Sequence, residues 1–311
     1  MVDPRQFAVV AVAAMLWACT LSSRPALAAS SAAAAITSGF IAPPEPQQPP
    51  APPRGRVYLF RGALGPIFSR GMDRLTEQLE RAGIKADVYE FTICRLIADV
   101  AIRDYRSDPA PITLIGHSMG GLCALMFADI LRDEGIPVSL VVTIDPAQAS
   151  PKVPLNVERY INIFLSTSIL GGGDVVAKQG YQGHYASFDL SRQEKVTHIN
   201  IDKMDAVHQQ LINMIVQLAA TPARDEGEAL PLRYVVPPNT PVELWDSGIP
   251  LLARSGDTLQ GLAALHHVPL WSLTQINQMS VSAPLLAGQR IIIPRHLVPA
   301  SDLPAPSPTS R

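Results

Sequence analysis

The chain has 311 residues, 47% of them hydrophobic and 17% charged, with a formal net charge of −2. That length can bury a full core and leaves room for a second domain. The near-neutral balance argues against a protein that grips a nucleic-acid backbone, and 29 prolines point to stretches outside any compact domain.

At the amino terminus, Arg5 precedes the apolar run Phe7 to Leu16, and Pro25-Ala26-Leu27-Ala28 ends in a small-x-small pattern. The expectation is a signal peptide over 1–28, cleaved after Ala28; a permanent membrane helix is second choice because the run is short for a bilayer. Cys19, in Leu16-Trp17-Ala18-Cys19, is a lipidation alternative that would bring the protein to a membrane face. Residues 29–54 are rich in Ala and Ser, then in Pro, and read as a linker, either an extended spacer or a leader with little to bury. Cys94 and Cys123 remain after cleavage. Their spacing leaves open a disulfide or two small buried hydrophobes, and no metal or cofactor signature involves them.

Val57-Tyr58-Leu59-Phe60 reads as a buried strand running into Arg61-Gly62-Ala63-Leu64-Gly65. Residues 69–82 place Met72, Leu75 and Leu79 on one helical face, and Gly83 ends that helix. A strand near 86–91, a helix near 93–106 and a Pro-rich turn at 109–111 follow. Ile112-Thr113-Leu114-Ile115 then feeds Gly116-His117-Ser118-Met119-Gly120-Gly121, and Leu122 to Leu131 has helical spacing. A serine between a strand and a helix, with glycine two residues away on each side, is the setting of a nucleophile elbow. Ser118 is therefore the candidate nucleophile, and His117 beside it reads as packing or substrate contact.

Leu140-Val141-Val142-Thr143-Ile144 reads as a parallel strand ending at Asp145-Pro146, and Tyr160 to Leu165 as another, followed by Gly171-Gly172-Gly173-Asp174. Catalytic groups gather at the carboxyl ends of such strands, so Asp145 is the first choice for a carboxylate that orients a histidine, with Asp174 the alternative acid. The glycine- and aromatic-rich stretch 171–192 reads as a loop roofing the site. His198, in Val196-Thr197-His198-Ile199-Asn200-Ile201-Asp202, lies after the last expected strand and before a helix over 204–218; it is the candidate base, with His184 and His208 as substitutes. Arg61 reads either as a contact for an anionic substrate group or as a structural ion pair.

Residues 55–221 resemble the α/β-hydrolase superfamily on its lipase and thioesterase side, through Phe60-Arg61-Gly62, the Ser118 elbow, Val142-Thr143-Ile144-Asp145-Pro146 and the His198 stretch. The resemblance implies a doubly wound, mostly parallel sheet, here minimal with about six strands, and acyl transfer to water. It also implies an oxyanion hole, for which the backbone N–H groups of Ala63, with Leu64 as its neighbour to beat, and of Met119 are the candidates. Arg61 stands where the family usually has histidine.

A polar break after Leu218 opens a linker, 222–249. Gly256-Asp257-Thr258-Leu259, Asn277 and Gly288-Gln289 through Ile293-Pro294 fall in the register of a LysM module, a small β-α-α-β fold, over 250–294, followed by a flexible tail, 295–311. That resemblance implies binding of N-acetylglucosamine-containing glycans such as peptidoglycan by Gly256, Asp257, Thr258 and Leu259 and by a second loop near 279–285. Together these readings imply a periplasmic or secreted serine hydrolase of an ester or thioester, associated with the cell envelope, with no cofactor, no metal and no nucleic-acid partner. The alternative is a wall-binding or scaffolding protein whose hydrolase fold no longer turns over.

Overall fold

Strands buried on both faces, separated by amphipathic helices, can close only as a parallel sheet covered on both sides. The computed structural model describes residues 54–220 and 228–297 of the chain. The expected signal peptide, Cys19, the 29–54 linker up to residue 53 and the tail from 298 lie outside the described residues.

The chain opens with β1 (Arg56–Arg61), the single turn α1 (Gly65–Phe68), α2 (Arg70–Arg81), β2 (Lys85–Glu90) and α3 (Cys94–Ser107). Next come β3 (Ile112–His117), α4 (Met119–Asp133), β4 (Leu140–Ile144), β5 (Arg159–Phe164), β6 (His184–Asp189), α5 (Asp205–Ala220) and β7 (Leu232–Val235). The strands form one seven-stranded sheet in the order β2-β1-β3-β4-β5-β6-β7, and each neighbouring pair is parallel. Strand order reverses between β1 and β3, so a crevice opens beyond their carboxyl ends, where Gly62 and Ser118 stand.

Alternate residues of β1 serve the two faces. Val57 and Leu59 share one core with Met72, Leu75 and Leu79 of α2 and Val207, Leu211 and Ile215 of α5, whereas Tyr58 and Phe60 pack on Phe127 of α4 in the other core, which Ile97 and Ala101 of α3 and Leu131 of α4 complete. Cys94 and Cys123, on α3 and α4, are buried free thiols. A hydrogen bond from Cys123 is the main influence holding the Cys94 thiol down to about 7, while burial pushes Cys123 up.

Two expectations change here. The sheet has seven strands rather than about six, and the seventh comes from residues expected to be linker: Leu232 and Tyr234 point into the core while Arg233 is exposed. Such a short alternating stretch, set among prolines, carries too little period-two signal to stand out. The stretch 171–192 is not one roof loop, because His184–Asp189 is the nearly fully buried strand β6.

The last elements are β8 (Ser247–Leu252), α6 (Leu259–Leu265), α7 (Leu270–Ile276) and β9 (Arg290–Arg295), with β8 and β9 antiparallel. Internal capping explains the sequence signature of this β-α-α-β module. Thr258 Oγ1 caps α6 by accepting from Gly261 N–H (3.0 Å), Asp257 Oδ2 accepts from Arg254 N–H (2.7 Å), and the Asn277 amide ties α7 to β9 through both backbone groups of Ile292.

The module shares one core with the sheet. Trp245, fully buried, stands between Phe188, Tyr234 and Trp271 with ring centroids 5.1 to 5.9 Å away. The Gln275 amide accepts from Val235 N–H (3.1 Å) and donates to Val235 C=O (2.8 Å), covering the outer edge of β7 as another strand would. At the start of β5, Arg159 Nε donates to Asp246 Oδ2 (3.1 Å), and Arg295 Nε donates to the other oxygen (3.0 Å).

Candidate active site

Ser118 tops the turn from β3 into α4 with φ 56° and ψ −121°, a conformation that non-glycine residues rarely hold. Three backbone bonds fix it: Ser118 N–H to Ile144 C=O (3.0 Å), and Gly121 N–H (2.9 Å) and Ala147 N–H (3.2 Å) to Ser118 C=O. The flanking glycines are demanded by contact, since a Cβ at 116 would lie 2.0 Å from Gly120 O and one at 120 would lie 2.1 Å from Phe60 O.

Asp145, directly after β4, is fully buried with φ 41°. Its Oδ2 lies 2.6 Å from His198 Nδ1, while Oδ1 accepts from Gly172 N–H (2.8 Å) and Leu165 N–H (3.0 Å). Burial, the largest influence, pushes this carboxyl up, yet the hydrogen bonds from His198, Gly172 and Leu165 outweigh it and keep it below its ordinary range. The glycine run after β5 thus cradles Asp145, for a Cβ at 171 would lie 2.5 Å from its carboxylate. Asp174 is half exposed and pairs with Arg233 (2.5 Å), away from His198.

The other candidates separate as cleanly. His208 is buried in α5 against Gln78 and the Asp202 carbonyl, and His184 begins β6 at the opposite end of the strands from Ser118, beside Ser247 (3.0 Å). Arg61 is a structural ion pair, bonded to Asp73 (3.1 Å) and Glu90 (3.0 Å).

Ser118, His198, Ala63 and Met119 line one cavity of about 300 Å³ together with Leu64, Phe68, Leu170 and Ile199. Ser118 forms no direct hydrogen bond to His198 across it among the described residues. The loop after β1 sits against Ser118: a Cβ at Gly62 would lie 2.7 Å from Ser118 Cβ. Met119 is the first residue of α4, so its N–H has no acceptor within the helix and lies at the positive end of the helix dipole.

Sequence reasoning missed Ser69, buried at the start of α2, whose hydroxyl lies 3.1 Å from Gly62 N and 2.8 Å from His117 Nδ1. It also missed Asp202, which anchors the loop carrying His198 by accepting from Gly71 N–H (2.8 Å). No local pattern reveals either partner, since they lie 48 and 131 residues apart in sequence.

Asp202 Oδ1 is buried with no hydrogen-bond partner among the described residues, and burial raises the carboxyl from 3.8 to about 6. A raised folded pKa favours the protonated form, so this contribution to stability is full below pH 3.8 and is lost as pH rises through about 6. Wild type is expected to lose about 2 kcal/mol between pH 4 and 7 relative to Asp202→Asn, whose amide stays neutral. Urea midpoints of both proteins across that range check this; a constant difference would mean that Asp202 does not titrate there.

Residues 92–159 match the family model described as Thioesterase domain, and residues 253–294 match the one described as LysM domain. The first match falls within the seven-stranded sheet domain, from α3 to the start of β5, and the second covers most of the β-α-α-β module. The sheet and the β-α-α-β module described above are the folds of these two parts. Among solved structures, a putative hydrolase of the α/β superfamily from Xanthomonas campestris pv. campestris is 16% identical, over 53% of this chain and 98% of that one, with a TM-score of 0.33. The RedJ thioesterase of the prodiginine biosynthetic pathway in Streptomyces coelicolor is 18% identical, over 35% of this chain and 50% of that one, with a TM-score of 0.24. No curated protein matches the chain.

In the LysM domain, Gly256 and Thr258 are exposed, whereas the Leu259 side chain is fully buried in the core, and the Asp257 and Thr258 side chains are engaged in capping. Any contact that Leu259 makes with a glycan therefore runs through its backbone. No helix among the described residues is long and apolar enough to cross a membrane.

Proposed function

We propose that this protein is a serine hydrolase of acyl esters or thioesters, exported to the periplasm or beyond and held at the cell envelope by LysM binding to an N-acetylglucosamine-containing glycan. The observation that carries the catalytic part is the 2.6 Å contact of His198 Nδ1 with the buried Asp145, on a ring that opens into the cavity lined by Ser118. Asp145 fixes the tautomer with the proton on Nδ1, leaving Nε2 free to accept the Ser118 proton. Ser118 Oγ attacks the acyl carbonyl, and the N–H groups of Ala63 and Met119 receive the oxyanion. His198 then protonates the leaving alcohol or thiol, and water attacks the acyl-serine by the same route in reverse. The missing Ser118 to His198 hydrogen bond is expected to tighten when substrate closes the site, as catalytic contacts in unliganded enzymes often do.

Beside the polar Ser69, His117, Ser118 and His198, the rest of the cavity wall is apolar, from Ala63, Leu64, Phe68, Met119, Leu170 and Ile199, and suits an acyl chain. Its volume of about 300 Å³ holds about ten heavy atoms at the roughly 30 Å³ a water occupies in the liquid. The expected result is a kcat/KM that rises roughly fourfold per methylene, from ~0.8 kcal/mol per buried CH2, up to about eight carbons and then levels. Parallel series of p-nitrophenyl esters and acyl thioesters measure it. A flat profile would remove the acyl-chain assignment, and hydrolysis of none of them, together with sedimentation on insoluble peptidoglycan, would favour the non-catalytic wall-binding reading.

A further inference from the structure

We propose that His117, the residue before the nucleophile, is a positioning residue that ties the oxyanion loop to the loop carrying His198. This inference rests on the serine-hydrolase reading. It starts from an unbroken run of hydrogen bonds: Gly62 N–H to Ser69 Oγ (3.1 Å), Ser69 Oγ to His117 Nδ1 (2.8 Å), and His117 Nε2 to the His198 carbonyl (2.9 Å).

Chemistry forces every role in that run. A carbonyl oxygen can only accept, so His117 Nε2 carries a proton. In the neutral ring Nδ1 then accepts, the Ser69 hydroxyl donates to it, and a Ser69 lone pair is left for Gly62 N–H. Burial, aided by the charge of His198, holds the His117 ring down to about 4, so it is neutral at ordinary pH; Asp145 and Lys203 are the other ionisable groups that act on it.

The run begins and ends on catalytic loops. Gly62 lies against Ser118 and precedes the candidate donor Ala63, while the His198 backbone sets where its ring stands. The two imidazoles also pack face on face at a tilt, with centroids 4.9 Å apart. No other side chain links these two loops through both ends of one ring among the described residues. Cutting the run lets the oxyanion donors and the base drift relative to one another, although neither loop loses its own fold.

A ring used only for packing would be replaced by phenylalanine without loss, and this separates the two roles. In the full chain, His117→Phe is expected to lower kcat about 10- to 100-fold while KM stays within about twofold, as misplacement near 1 Å does. His117→Gln, whose amide nitrogen can reach the Nε2 position, is expected to recover part of that loss. Ser69→Ala should fall in the same direction, and Ser69→Ala/His117→Phe should be no slower than His117→Phe because both cut one link. Steady-state hydrolysis of p-nitrophenyl octanoate, with circular dichroism for folding, reads all four. A folded His117→Phe with wild-type kcat, a glutamine no better than phenylalanine, or additive losses would each overturn the proposal. If His117→Phe does not fold, unchanged kcat in Ser69→Ala overturns it. Inactive wild type would instead sink the hydrolase reading.

Discussion

Alanine at Ser118 is expected to lower acyl hydrolysis by on the order of 10⁶-fold and to abolish covalent labelling by a fluorophosphonate probe, with the fold retained. Removing Oγ removes the attacking atom, while the elbow is held by backbone bonds from Ile144, Gly121 and Ala147 that the substitution leaves alone. The same assay assigns the acid. Asp145→Asn is expected to cost about 10⁴-fold, because an amide in that cradle no longer enforces the tautomer with the proton on Nδ1. Asp174→Asn is expected to leave labelling unchanged, since Asp174 pairs with Arg233 at the protein surface. Labelling that survives in Ser118→Ala would refute the nucleophile assignment. Loss in Asp174→Asn with retention in Asp145→Asn would reassign the acid.

Asp246→Ala is expected to produce the largest loss of stability, about 3–5 kcal/mol, or on the order of 10 °C in Tm. Asp246 is fully buried and is shared by Arg159, itself 1% exposed, and by Arg295. Removing this fully buried carboxylate leaves two guanidinium groups close together with the anion they share gone, and Glu158, 4.0 Å from Arg159, is a more distant and more exposed substitute. Because Arg159 begins β5 while Arg295 ends β9, the loss is expected to loosen the LysM domain from the sheet edge and to unfold both in one transition. Urea unfolding followed by tryptophan fluorescence reads this directly through Trp245 and Trp271. Fluorophosphonate labelling below the transition should keep its wild-type rate, because this cluster stands at the strand ends opposite Ser118. A stability change under 1 kcal/mol would show that the cluster adds little to the joint between the domains.

The fold was legible wherever one segment carries its own signal. Runs such as Leu140 to Ile144 admit little except a buried parallel strand, and the helices over α2, α3 and α5 begin and end within about two residues of their sequence limits. The elbow was legible because strand, Gly-x-Ser-x-Gly and helix are contiguous, although only the contact that demands Gly116 lies within that unit, the one that demands Gly120 being with Phe60 of β1. β7 was not, since a four-residue edge strand gains its stability from β6 and from the Gln275 amide, neither of which is near in sequence.

The sequence by itself therefore named the candidate residues of the site, the strand-turn-helix elbow and the two modules, all properties of short contiguous stretches. Only the tertiary structure decided that His198 faces Asp145 rather than Asp174, that Arg61 is an ion pair, and that the LysM domain shares a core with the sheet. Each of those depends on which side chains meet across tens of residues, and a local pattern carries no record of a partner that only chain folding brings within hydrogen-bond reach.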